Sequence, residues 1–133
     1  MIFLDTNVIL RFVLDDNPEL SPKAAAIFDT IQNSKTKIYL PPVIVAEIVY
    51  VLLKVYKTSR IEISQKLLPI LKIPAIKTDH KDIYSKVLKI FVNKNIDFED
   101  AVMVVLMEKK GTTQLYSFDG DFDKFPQIKR LTA

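Results

Sequence analysis

The chain of 133 residues has no cysteine, two glycines and one histidine. Without cysteine, thiol nucleophiles, zinc–cysteine sites and disulfides are excluded, and the redox compartment stays open. Two glycines, Gly111 and Gly120, cannot build a glycine-rich phosphate loop of the Walker or dinucleotide type. His80 stands alone, so acid–base chemistry shared between two histidines is impossible. Long hydrophobic runs are missing too, and the longest, "VMVVLM", is far shorter than a membrane span. The start, "MIFLDTNVIL", has no basic region and meets Asp5 at once, which does not read as a signal peptide. Together these predict a soluble, cytoplasmic domain without membrane contact.

What is present fits one folded domain over residues 1–133. The length suits one domain rather than two, and a 49% hydrophobic composition supplies a proper core. Net charge is +3, from 19 basic and 16 acidic residues. Setting aside Asp5, Glu47, Asp100, Asp119 and Asp121 leaves 11 acids against 19 bases, a net +8. A basic body around an acidic pocket suits a polyanionic substrate bound through a metal, although a solubilising lysine-rich surface gives the same totals.

Short apolar strands alternate with helical patterns. Residues 1–4 read as a buried strand, followed by a helix through "NVILRFVLDD". A second helix, "SPKAAAIFDTIQNS", has Ser21 as N-cap and Pro22 at its first position. The strand "KIYL" leads into Pro41-Pro42 and the helix "VIVAEIVYVLLKVY". "SRIEISQKLLPILK" is helical with a kink expected near Pro69. A strand at "AIKT" precedes an amphipathic helix, "DHKDIYSKVLKIFVNK". "FEDAVMVVLMEKKG" is a helix closed by Gly111, and "QLYSF" and "IKRL" are strands. The alternation predicts a parallel sheet with helices on both faces, with ligands beyond the carboxyl ends of the strands.

Acids occupy those positions. Asp5 follows the first strand, where it serves equally as a helix cap; Thr6 beside it can orient a carboxylate. Glu47 is the only charge between Pro42 and Leu53. An all-apolar helix predicts burial for it, and a buried carboxylate demands a basic side chain or a metal. Asp100, third in a helix with Asp97 as N-cap, suits the helix dipole as well as a site. Asp119, Asp121 and Asp123 follow "QLYSF" around a turn signal at Asp119-Gly120. They are no EF-hand, since the sixth loop position is Lys124 and the twelfth Arg130. Clustered carboxylates need a cation, and oxygen-only ligands select magnesium or manganese.

The ordered pieces "FLDTNVIL", "VIVAEIVYVL", "DFEDAVMVVL" and "LYSFDGDFDKF" resemble the PIN domain family, and within it the VapC-type ribonuclease toxins of toxin–antitoxin pairs. The resemblance runs over essentially the whole chain. It implies a three-layer α/β/α sandwich with a central parallel sheet of four to five strands. It also implies an acidic quartet of Asp5, Glu47, Asp100 and Asp119 around Mg2+ or Mn2+. Asp5, Asp100, Asp119 and Asp121 would serve the metal, Asp121 as an additional acid that with Glu47 would position metal-bound water or a second ion, and Thr6 and Ser117 would be supporting hydroxyls. Asp123 matches nothing catalytic and reads as a loop residue. The implied activity is metal-dependent cleavage of RNA phosphodiester bonds. The implied partners are RNA, a VapB-like antitoxin and a second copy in a homodimer. The antitoxin would lie in a groove walled by Ile9, Phe12, Val13, Ala25 and Phe28, and helices 42–57 and 80–94 would supply the dimer interface. A catalytically silent RNA- or protein-binding PIN module is the alternative, and the intact acidic set argues against it. A response-regulator receiver would need paired acids after the first strand, where Asp5 stands by itself.

Overall fold

The structure, a computed structural model, describes all residues from Met1 to Ala133. Five strands of two or three residues alternate with six α-helices, and every strand pair is parallel. Strands β1 (Ile2–Phe3), β2 (Ile38–Tyr39) and β3 (Ile76–Lys77) form one sheet in that order, with Ile2 opposite Ile38 and Ile38 opposite Ile76. Strands β4 (Gln114–Tyr116) and β5 (Lys129–Leu131) pair separately, with Gln114 opposite Lys129.

The expected single sheet of four to five strands is therefore divided three and two. No backbone hydrogen bond joins β1 to β4. Ile2 and Leu4 donate to Lys37 and Tyr39 on the β2 side, and Ser117 donates to Leu131 on the β5 side. The first strand is accordingly an edge rather than the buried strand expected. Ile2 and Phe3 are 58% and 68% exposed, and only Leu4 is inside. Ladders this short contribute few hydrogen bonds, so helix packing dominates the architecture.

The helices are α1 (Thr6–Leu14), α2 (Leu20–Asn33), α3 (Pro42–Tyr50), α4 (Arg60–Leu71), α5 (Tyr84–Asn93) and α6 (Phe98–Lys110). They pack in succession: α2 on α1, α1 on α3, α3 on α6, α6 on α5, and α5 on α4. Their inward faces meet in one core that includes Ile9, Phe28, Leu40, Ile48, Leu52, Ile63, Leu88 and Phe91. Helix α3 widens into a π-helical turn at Val51–Val55 before the chain reverses.

Local chemistry explains most boundaries. Ser59 caps α4 by accepting from the Glu62 N–H at 3.2 Å, and Gly111 closes α6 in the left-handed region at φ 71°. Pro69 sits in the last turn of α4, where the helix ends at Leu71. The start of α2 differs from expectation. Ser21 is inside the helix and donates to the Arg11 carbonyl, while Asn17 accepts from the N–H groups of Glu19 and Leu20. Asn17 takes the accepting role expected of Ser21, and the helix begins at Leu20, one residue before Ser21. The helix expected from Asp79 to Lys94 also starts late. His80 takes a left-handed φ of 54°, a 3-10 turn covers Lys81–Ile83, and α5 proper begins at Tyr84.

Candidate active site

Asp5 leaves the end of β1 and caps α1, its Oδ1 accepting from the Thr6 N–H at 2.8 Å. Its capping role is thus present whatever else it does. Thr6 is buried, and its hydroxyl donates to Glu47 Oε2 at 2.5 Å, the short range of a hydrogen bond to a charged acceptor. That bond ties the start of α1 to the middle of α3. Glu47 itself is exposed, contrary to the burial expected from its apolar neighbours. Helix α3 turns Val43, Glu47 and Tyr50 outward together at one-turn spacing. The carboxylate therefore needs no buried cation; a hydroxyl holds it.

A second group forms where α6 begins and β4 ends. Asp100 is half-buried, and its carboxyl is held above its ordinary value. Burial is the largest cause, followed by the charges of Asp119, Asp97, Glu99 and Asp121. Beyond β4 the chain turns sharply. The Asp119 N–H donates to Ser117 Oγ at 3.0 Å, and Asp119 Oδ1 accepts from the Asp121 N–H at 2.9 Å. Asp119 thereby caps the 3-10 turn Gly120–Lys124. Ser117 shapes this turn through its hydroxyl.

The three alternating aspartates have separate partners. Asp121 is paired with Lys124 at 3.1 Å, and Lys124 also donates to the Asn95 carbonyl at 3.0 Å. Asp123 is clasped by the Arg130 guanidinium at 3.0 and 2.9 Å, while Arg130 also donates to the Ser117 carbonyl at 3.3 Å. The hydrogen bond from Arg130 holds the Asp123 carboxyl below its ordinary value. Asp123 is therefore a brace between the turn and β5 rather than a free loop residue. The sequence reading missed both cations as organisers: Lys124 stands only three residues from Asp121, a spacing the sequence does disclose, whereas Arg130 lies seven residues from Asp123 and reaches it from β5.

The candidate residues thus stand in two groups: Asp5, Thr6 and Glu47 beside β1, and Asp100, Ser117, Asp119 and Asp121 beside β4. Asp5 and Glu47 are not among the charges that act on Asp100. The donor chemistry, carboxylates and hydroxyls only, suits a hard divalent ion. The spacing does not: no three acidic or histidine side chains stand close enough to hold one metal ion.

A parallel α/β domain with acids beyond its strand ends defines a class, and the sequence assigns the family within it. The chain belongs to the PIN domain family, whose model matches residues 2–128. It is similar to a VapC ribonuclease of Aquifex aeolicus (strain VF5), with 27% identity over 124 residues that span 93% of this chain and 91% of the relative. Among solved structures, Mycobacterium tuberculosis VapC20, described as a sarcin-ricin loop cleaving toxin, aligns with 93% of this chain and 94% of its own. That alignment has a TM-score of 0.43 and 18% identity. No helix of this chain is long and apolar enough to cross a membrane.

Proposed function

We propose that the protein is an endoribonuclease toxin that cleaves RNA phosphodiester bonds and depends on Mg2+ or Mn2+. The observation that carries this reading is half-buried Asp100, whose carboxyl is held above its ordinary value first by burial and then by the charges of Asp119, Asp97, Glu99 and Asp121, in a chain whose residues 2–128 match the PIN family. Like charges gathered at a helix start and a strand end raise free energy unless something cationic uses them. A silent binding module would have no use for that cost. Asp5, Glu47, Asp100 and Asp119 are the residues proposed for catalysis, with Asp121, Thr6 and Ser117 in support. Metal dependence rests on the oxygen-only donors and on the family.

The test is cleavage of a labelled single-stranded RNA. Activity should vanish in EDTA and return with manganese or magnesium. Cleavage that persists in EDTA would remove the metal from the proposal. No cleavage with either ion would remove the nuclease.

A toxin reading requires an inhibitor, proposed here to be a VapB-like antitoxin. The groove that supports it differs from the one expected. Ile9 and Phe28 are core residues, and Phe12 stacks on Phe28 with ring centroids 4.1 Å apart. The open surface is instead a cavity of about 350 Å³ beside Asp5, with Val8, Leu20 and Ile27 as its apolar wall. Co-expression with the neighbouring gene product should abolish toxicity; failure of that product to bind would dismiss the toxin assignment. A homodimer is also proposed, supported by exposed Val43, Val55 and Ile61 on α3, its π-helical extension and α4. Helix α5 offers less than expected, because Tyr84, Val87, Leu88 and Phe91 all face the core. A monomeric mass in light scattering at micromolar concentration would refute the dimer.

A further inference from the structure

A second concavity runs alongside the acids. It is a cavity of about 360 Å³ between α3 with its π-helical extension and the start of α6. Its floor is aromatic: buried Phe91 and Phe98 meet edge to face at 5.8 Å. Its exposed rim is polar, formed by Tyr50 and Lys54 on one side and by Asp97 and Glu99 on the other. None of those four side chains makes a hydrogen bond or ion pair within the protein. Asp97 occupies the N-cap position of α6, yet its carboxylate makes no capping bond.

Position links this cavity to the candidate chemistry. Tyr50 and Lys54 follow Glu47 by three and seven residues, all three exposed, and Glu99 stands with Asp100 in the first turn of α6, just after Asp97 at its N-cap position. The wall is also fixed in advance. Arg60 donates to the carbonyls of Phe91 (3.0 Å), Lys94 (3.3 Å) and Ile96 (2.6 Å), and its guanidinium lies 4.3 Å over the Phe91 ring. A preformed wall spares a ligand the cost of ordering it.

We propose that this cavity is a nucleobase subsite that takes one unpaired base of the RNA, with guanine preferred. The inference rests on the nuclease reading above. The volume lies at the small end of ligand pockets, roughly 300–1,000 Å³, and is enough for one base. An unpaired base stacks on an aromatic side chain, the part given to Tyr50. The two carboxylates accept hydrogen bonds and repel phosphate, so only the neutral base enters, while the flanking phosphate stays at Lys54. Guanine presents the most N–H donors on its pairing edge, at N1 and N2. Adenine and cytosine present one amino group, and uracil a single N–H. A basic anchor from a protein would suit the acids too, but Lys54 on the same rim opposes it.

The test uses 1H–15N spectra of the full chain in EDTA, titrated with GMP, AMP, CMP and UMP, with inorganic phosphate and with acetyl-argininamide. GMP should move the amides of Tyr50, Lys54, Phe98 and Glu99 at concentrations where UMP does not. Tyr50→Ala and Glu99→Gln should lose that response while keeping dispersed, folded spectra. In the cleavage assay, Tyr50→Ala should raise KM by about tenfold with kcat unchanged. Equal responses to all four nucleotides or to phosphate, no response at these amides, or a response to argininamide alone would overturn the subsite. Guanine-selective shifts without RNA cleavage would keep the pocket and remove the nuclease; cleavage without those shifts would do the reverse.

Discussion

The two groups of acids are built on opposite principles. Beside β1, Asp5 and Glu47 are satisfied by neutral donors, a backbone N–H and the Thr6 hydroxyl. Beside β4, Asp100 is held above its ordinary value first by burial and then by the charges of other carboxylates, and the cations nearby are claimed by Asp121 and Asp123. A hydrogen-bonded carboxylate is at rest, whereas a crowded one carries free energy that an arriving cation releases. The β1 group is thus a positioned scaffold and the β4 group a charged one. Catalysis as proposed needs both.

The largest expected effect breaks either group by one charge. Asp119→Asn and Glu47→Gln should each lower cleavage by at least ~100-fold, at or beyond what loss of an outer partner to a metal ligand costs. If one substitution leaves turnover intact, only the other group is catalytic and the paired reading fails.

A smaller effect concerns Thr6. Thr6→Val keeps the buried shape but removes the donor to Glu47. It should cost about 10-fold in kcat with an unchanged melting temperature, and Thr6→Ser should restore activity. Equal losses in the Val and Ser variants would mean that packing, not the hydroxyl, sets Glu47.

The charged group also makes a pH prediction. A carboxyl whose pKa is raised on folding penalises the folded state when ionised. That penalty is full above the raised value and absent below the ordinary 3.8. Asp100→Asn should therefore raise the melting temperature at pH 7 without metal, on the order of 3 °C. The gain should shrink towards zero below pH 3.8. A loss of stability at pH 7 would show that Asp100 serves α6 as a dipole partner instead.

Asp123 has the opposite sign and the smallest effect. Its carboxyl is lowered by Arg130, so its stabilisation is present above the ordinary 3.8 and disappears as pH falls through the lowered value. Asp123→Asn should cost roughly a degree in thermal melting at pH 7, as befits an exposed pair. It should cost nothing in strong acid. A large loss of activity instead would make the brace part of the site.

Periodicity and turn chemistry in the sequence were enough for the strand–helix alternation, the Asp5 and Gly111 boundaries and the position of Asp100 in the first turn of α6. These features depend on neighbours within about four residues, which the chain itself specifies. The sequence could not disclose that Glu47 is exposed, because apolar content does not say which helix face meets the core. Nor could it reveal Thr6 as the donor to Glu47, Arg130 as the clasp on Asp123, or the cavity between α3 and α6. Each joins residues brought together only when helices pack. The break between β1 and β4 belongs there as well: strand propensity marks both segments but does not say which edges pair.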